Sequence, residues 1–291
     1  MTTDPTSPQT VFDARITALW VYPIKSCAGI SLQQAVLTPT GLAHDRAWMV
    51  VDAEGDMVTQ RELPRMVKIQ PALTHDTLVL HAPGQVDLEL PLTAARTTLT
   101  QVRVWDDVVP AFDMGPAAST WLTDFLGDRL GPLRLVRFDD QHARLSSDKW
   151  TQGVQALNQF SDGFPLLAVS KASLDELNSR LQAKGEVAVD MRRFRPNLVL
   201  DGVMAHDEDR IGTMTVDGVQ LQPVKPCPRC PIPNIDPDLA QPHPAVSDTL
   251  QTYRQDARVN GAVTFGMNCI PLAGVGQVLR VGQRVLADWV F

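Results

Sequence analysis

Ten short runs rich in Val, Leu, Ile, Thr and aromatic residues, each cut off by Gly, Pro, Asn or Asp, constrain this 291-residue chain more than any other feature. They lie at residues 16–24, 47–52, 57–62, 77–82, 86–92, 100–105, 133–138, 194–202, 214–224 and 263–272. Runs this short and this β-branched predict strands, and the turn residues between them force the chain to reverse. The fold class expected is mainly β with a few helices (α+β). The clearest hairpin is AWMVVDAEGDMVTQR, where AEGD at 53–56 supplies turn residues between two runs whose arms should pair antiparallel.

Three helices interrupt the strands. PAASTWLTDFLG has Pro116 near its start, where a missing N–H costs least, and Gly127 at its end. SKASLDELNSRLQAKG offers Ser173 with Glu176 as a capping box, a core-facing stripe of Leu174, Leu177 and Leu181, and Gly185 as a stop. SDTLQTYRQDARV predicts a third, capped by Ser247 or Asp248. The polar connection at 137–163 is the natural place for a domain boundary or a crossing segment.

A chain with 44% hydrophobic and 20% charged residues can bury a full core in one large or two ordinary domains. Four irregularly spaced cysteines predict free thiols in a reducing compartment rather than a disulfide framework. The opening MTTDPTSPQT lacks the pattern of a secretory signal, and no run of eighteen apolar residues follows, so no membrane association is expected and the chain is placed in the cytoplasm. A net charge of -7 argues against a nucleic-acid partner. Clustered arginines stand out against that balance.

The segment KPCPRCPIPNIDP, residues 225–237, carries two cysteines and five prolines, which should keep it out of regular structure. As a zinc site it lacks the second close pair that usually completes four ligands. As a thioredoxin-type dithiol it lacks the following helix whose N-terminus lowers a thiol pKa. An inert buried loop is open, and so is a loop presenting one thiolate, because Lys225 and Arg229 flank the cysteines and cations favour the form that ligates a metal.

Several segments, in this order, make the chain resemble the two-domain MOSC proteins, relatives of the mitochondrial amidoxime-reducing components and the bacterial YcbX-type proteins, from about residue 12 to 290. They are VYPIKSCAG, GLAHDRAWMVVD with VTQRELPRM, VWDDVVPAFDMGPAASTWLTDFLG, SDGFPLLAVSKASLDELN, FRPNLVLDG, and CPRC with NIDP followed by YR and FG. The resemblance implies a disordered tail at 1–11, an N-terminal β-barrel domain at 12–140 packed on a MOSC β-barrel domain at 141–291, and a molybdenum cofactor (Mo-molybdopterin) held between them. It implies reduction of N-hydroxylated compounds such as amidoximes, hydroxylamines and N-hydroxylated bases.

Residue by residue, the resemblance makes Cys230 the metal ligand. It makes Lys25, Ser26, Arg46, Gly163, Phe164, Arg195, Asn197, Pro228 and Arg229 cofactor contacts, and Asp162 a catalytic group that orients solvent or relays a proton. Cys227 is then a supporting residue. Gly163 and Phe164 stand where the mitochondrial relatives usually carry small hydroxyl residues, which leaves backbone contacts there. The iron–sulfur cysteine cluster of a plant-type ferredoxin domain is not in the sequence, so electrons are expected from a separate ferredoxin-, flavodoxin- or cytochrome b5-like donor with its reductase. The alternative is a carrier that stores or hands over molybdenum cofactor or sulfur without catalysis.

Overall fold

Strand β1, Phe12–Val21, sets the plan, because it hydrogen-bonds to both the last strand of the chain and one from its middle. The computed structural model describes residues 12–92 and 98–290; the expected tail at 1–11 lies outside them. Seven strands close a barrel: β1, β2 (Leu166–Ser170), β3 (Leu198–Asp201), β4 (Ile211–Val216), β5 (Val219–Pro228), β6 (Ala262–Ala273) and β7 (Arg284–Trp289), in the order β2-β3-β1-β7-β4-β5-β6 with β6 back on β2. The β2–β3 pair is parallel, and helix Lys171–Ala183 makes the crossover such a pair requires. Alternation along β1 buries Ala14 and Ile16, then Leu19 and Val21. A register shift between Ile16 and Ala18 resets the two-residue period so that both pairs face the core.

The first half builds around a second core. Strands Trp48–Val51, Arg134–Phe138, Asp107–Asp113 and Leu99–Val104 form a four-stranded sheet, and Gln70–Leu73, Thr77–His81 and Leu88–Pro91 form a three-stranded one. Helix Pro116–Leu126 places Leu122 and Phe125 in the same cluster as Trp48, Met66 and Leu80. A cut near residue 140 would leave residues 12–42 joined by the chain to the first half and by the barrel core to the second, since Ile16, Leu37 and Leu42 pack with Leu200 and Val285.

Four local expectations differ from the structure. The arm Met57–Glu62 makes one bridge, Met57 to Val51, and one further bond from Val58 N–H to the Val50 carbonyl (2.9 Å). It then leaves the sheet, because Thr59 turns onto Glu62 and Pro64 starts a 3₁₀ turn. Helix Lys171–Ala183 is capped by Ser170, whose hydroxyl accepts from the Ala172 N–H (3.1 Å), and not by Ser173. The expected helix at 247–259 spans only Ala245–Leu250, because Arg254 is drawn to Asp209 (2.5 Å) and to the Thr264 carbonyl (3.2 Å), which seats Gln255–Asp256 against β6. The prolines of KPCP do not keep the chain from pairing. Strand β5 runs to Pro228 and meets β6 with register shifts at Pro223–Lys225 and Pro226–Pro228, the places where proline lacks its N–H.

Ser173 instead hydrogen-bonds to Glu208 (2.7 Å), which also accepts from the Ser170 N–H (3.2 Å). Burial pushes the Glu208 carboxyl up to about 7 from an ordinary 4.5. The folded state therefore holds its proton while the unfolded chain has lost it, so the stabilisation is full below pH 4.5 and is lost as pH rises through about 7. Unfolding free energies should show wild type losing about 3 kcal/mol more than Glu208→Gln between those limits. Parallel pH profiles for the two proteins would mean that the carboxyl is ionised in the fold.

Candidate functional site: a cationic cavity between the two halves

Tyr22 follows β1 directly and is buried, with the guanidinium groups of Arg46 and Arg195 both over its ring at 4.4 and 4.2 Å from the centroid. Arg46 comes from the first half and Arg195 from the turn preceding β3. Each sits in a left-handed backbone conformation (φ 50° and 57°), which aims the side chain inward from a sharp turn. Arg46 is pinned by the Asp45 carboxylate (2.5 Å), the Asn197 Oδ1 (3.3 Å) and the Arg195 carbonyl (3.0 Å). Arg195 donates to the Cys27 carbonyl (2.5 Å), and its other terminal nitrogen is buried without a partner among the described residues. Burial, followed by the Arg46 charge, lowers the Arg195 pKa to about 10. Asn197 is committed to the fold, since its Oδ1 also accepts from the Leu167 N–H (3.1 Å) and its Nδ2 donates to the Trp20 carbonyl (3.1 Å).

These arginines border a cavity of about 470 Å³, and all eleven residues assigned from the sequence line it: Lys25, Ser26, Arg46, Asp162, Gly163, Phe164, Arg195, Asn197, Pro228, Arg229 and Cys230. Seven Lys and Arg side chains face three Asp side chains there, although the whole chain carries -7. Such a cavity recruits an anion.

At its edge Lys25, buried, donates to the Phe160 carbonyl (2.8 Å) and forms a close ion pair with Asp162. Burial lowers the Lys25 pKa, opposed by the Asp162 charge. At Asp162 desolvation, which would raise the pKa, is outweighed by the Lys25 charge and by hydrogen bonds from Lys25 and the Trp105 indole (3.0 Å), so the carboxyl stays below the usual range. Buried Arg144 donates to Asn158 Oδ1 (2.6 Å) and to the carbonyls of Gln159 and Ser161 (2.7 Å each), which fixes the segment that presents Asp162. Gly163 has a conformation any residue adopts, and an added Cβ would meet nothing within 4 Å, so the main chain there stays open to a ligand.

The CPRC segment divides its cysteines. Arg229 donates to the Cys227 sulfur (3.1 Å) and to the Phe194 carbonyl (3.1 Å), and Cys227 packs against the cluster around Phe194 and Phe265. Cys230 is half-buried at the cavity wall, and among the described residues no hydrogen bond or ion pair engages its sulfur. All four cysteines are free, as expected. No group of three His, Cys, Asp or Glu converges among the described residues.

Sequence reasoning passed over Tyr22, Trp105, Arg144 and Trp150, and read Lys225 only as a charge flanking the cysteines. Tyr22 and Lys225 stood inside quoted motifs, but nothing in their spacing says that a ring lies beneath two arginines. Arg144 sits in the polar connection at 137–163 and is buried only because the chain folds back on it. That connection also forms paired strands Arg144–Leu145 and Leu157–Asn158 and helix Asp148–Thr151.

The MOSC N-terminal beta barrel domain family matches residues 13–129 and the MOSC domain family matches residues 156–286. The chain is 37% identical to mitochondrial amidoxime-reducing component 1 of Mus musculus over 247 residues, 82% of this chain and 71% of that one. It is 36% identical to the Homo sapiens protein of the same name, over 82% and 72% of the two chains. Molybdenum cofactor sulfurase of Homo sapiens is 30% identical over 87% of this chain but 29% of its own length.

If the Tyr22 ring organises the two arginines, Tyr22→Leu should weaken calorimetric binding of pyrophosphate to the ligand-free protein by about tenfold, while Tyr22→Phe stays near wild type. Equal affinity in all three would show that the ring fills space and nothing more.

Proposed function

The chain belongs to the two-domain MOSC family that includes the amidoxime-reducing components, and from that premise we propose that it is a molybdenum-cofactor-dependent reductase of N-hydroxylated compounds. The observation that carries this reading is the convergence of Cys230, Arg46, Arg195 and Lys25 from both halves of the chain on one cationic cavity. The residues fit the cofactor. Molybdopterin brings a phosphate and an ene-dithiolate, and the cavity offers them a surplus of cations, a buried Arg195 nitrogen and a buried Arg229 nitrogen without partners, and the open main chain at Gly163. A soft thiolate at Cys230 suits the metal.

When bound, the cofactor supplies two-electron chemistry at the metal. The overall reaction takes an amidoxime, two electrons and two protons to an amidine and water, breaking the N–O bond. A separate electron-donor protein provides the electrons. The chain's own part is positional. Arg46 and Arg195 hold the anion from opposite halves, Arg144 fixes the loop that carries Asp162, and Cys230 binds the metal. Asp162 is ionised at working pH, so it accepts a hydrogen bond from the substrate hydroxyl or from water. Lys25 holds that carboxylate in place through the ion pair the two share, and the two protons the reaction consumes come from solvent that Asp162 orients.

Similarity to the cofactor sulfurase keeps a carrier role in view, and turnover separates the two. Protein made in a host with an intact cofactor pathway and supplied with an artificial reductant should reduce benzamidoxime over many cycles per metal. Transfer of cofactor to an apo-acceptor without turnover would favour the carrier.

Cys230→Ala should keep its fold and lose activity and most of its molybdenum. Cys227→Ala, which removes a sulfur bonded to Arg229 and packed on Phe194, should lose a few-fold in rate at most, because Arg229 retains the Phe194 carbonyl. Metal analysis beside turnover reads both, and an inert Cys230 with an essential Cys227 would overturn the ligand assignment.

A further inference from the structure

One cation of the cavity stands apart from the others in its partners. Lys25 is paired with Asp162, Arg46 with Asp45 and Arg144 with Asp107 (2.8 Å). Arg195 and Arg229 bond to carbonyls, and Arg61 bonds to Thr59 Oγ1 (3.0 Å) beside the ring of Trp105. Among the described residues the Lys225 ammonium has neither a hydrogen bond nor an ion pair. It lies 5.4 Å from the centre of the Trp150 ring and 5.7 Å from that of Phe164.

Those two rings belong to a small apolar cluster with Ala156, Ile270 and Val224, built partly from the connection at 137–163. That cluster is separate in composition from the Tyr22, Arg46 and Arg195 grip. An ammonium settles near ring faces when no anion is at hand, and a carboxylate in a partly desolvated cavity is a stronger partner. Of this cluster Phe164 lines the cavity beside Lys225, while Trp150 flanks the ammonium outside that lining. An apolar face next to a free cation fits a planar ring that ends in a negative group.

We propose that Lys225 and Phe164 form a substrate subsite that takes an aromatic ring carrying an anionic substituent, with Lys225 pairing to the anion, Phe164 packing against the substrate ring and Trp150 seating the ammonium. The subsite deepens the reductase reading by naming the class of N-hydroxylated substrate preferred, an aromatic acid. Binding at the subsite does not itself require turnover.

The test titrates cofactor-loaded protein with 4-carboxybenzamidoxime, benzamidoxime and 4-(aminomethyl)benzamidoxime by calorimetry in the absence of reductant. Wild type should bind the carboxylated compound about tenfold more tightly than the neutral one, and the cationic compound most weakly. Lys225→Met should abolish that order while leaving affinity for benzamidoxime and pterin content unchanged; Lys225→Arg should keep it. No preference in wild type, or the same preference in Lys225→Met, would overturn the subsite. Loss of pterin from Lys225→Met would also overturn it, by assigning the ammonium to the cofactor. Turnover of neutral benzamidoxime, run in parallel, reads the reductase proposal by itself: a binding order that holds without turnover would defeat the activity and leave the subsite standing.

Discussion

Two guanidinium groups over one buried tyrosine ring are the constraint on which the site depends. Arg46 and Arg195 each approach Tyr22 so closely that their centres are at most 8.6 Å apart, the sum of 4.4 and 4.2 Å. At an effective dielectric of about 20, their repulsion is about 2 kcal/mol or more. Each cation–π contact returns roughly 0.5–2 kcal/mol, and Asp45 offsets part of the rest. The arrangement is close to balance without a ligand, and an anion in the cavity tips it. Asp45 neutralises Arg46 in advance, so Arg195, with one terminal nitrogen buried without a partner among the described residues, is the arginine held ready for a charge.

That readiness is made possible by the topology. Strand β1 is chained to the first half and hydrogen-bonded into the barrel of the second, so Tyr22, Lys25 and Ser26 emerge where the two cores meet. Arg195 reaches the same place from the turn before β3, and Cys230 from the end of β5. The buried Arg144 then ties the connection between the halves to the cavity edge through three carbonyl and amide oxygens. The segment that sequence reading takes for a domain boundary or crossing, with only Asp162 and Gly163 in the site, thus adds Arg144 to it.

Much of this was legible in the sequence, for identifiable reasons. Short β-branched runs bounded by turn residues are a local property, and the strands were read from them. The site residues came together because they sit in short ordered motifs that resemble a family, and all eleven line one cavity. What was not legible depends on distant partners. Ser173 reads as a cap until Glu208 is placed beside it. The segment after Ser247 reads as a helix until Arg254 finds Asp209. Arg144 and Tyr22 read as ordinary residues until burial and neighbours give them a role. The prolines of KPCP mislead in the other direction, since register shifts let β5 pass through them.

The central claim is that an anionic cofactor is held between the halves by Arg46 and Arg195, and the fluorescence of oxidised pterin released from purified protein tests it most directly. Each charge-assisted contact contributes on the order of 2 kcal/mol, so Arg46→Ala and Arg195→Ala should each retain the cofactor roughly thirtyfold more weakly and purify with less pterin than wild type. The fraction that remains loaded should turn over at close to the normal rate per metal. Equal pterin in wild type and both variants, with their folds intact, would contradict the account.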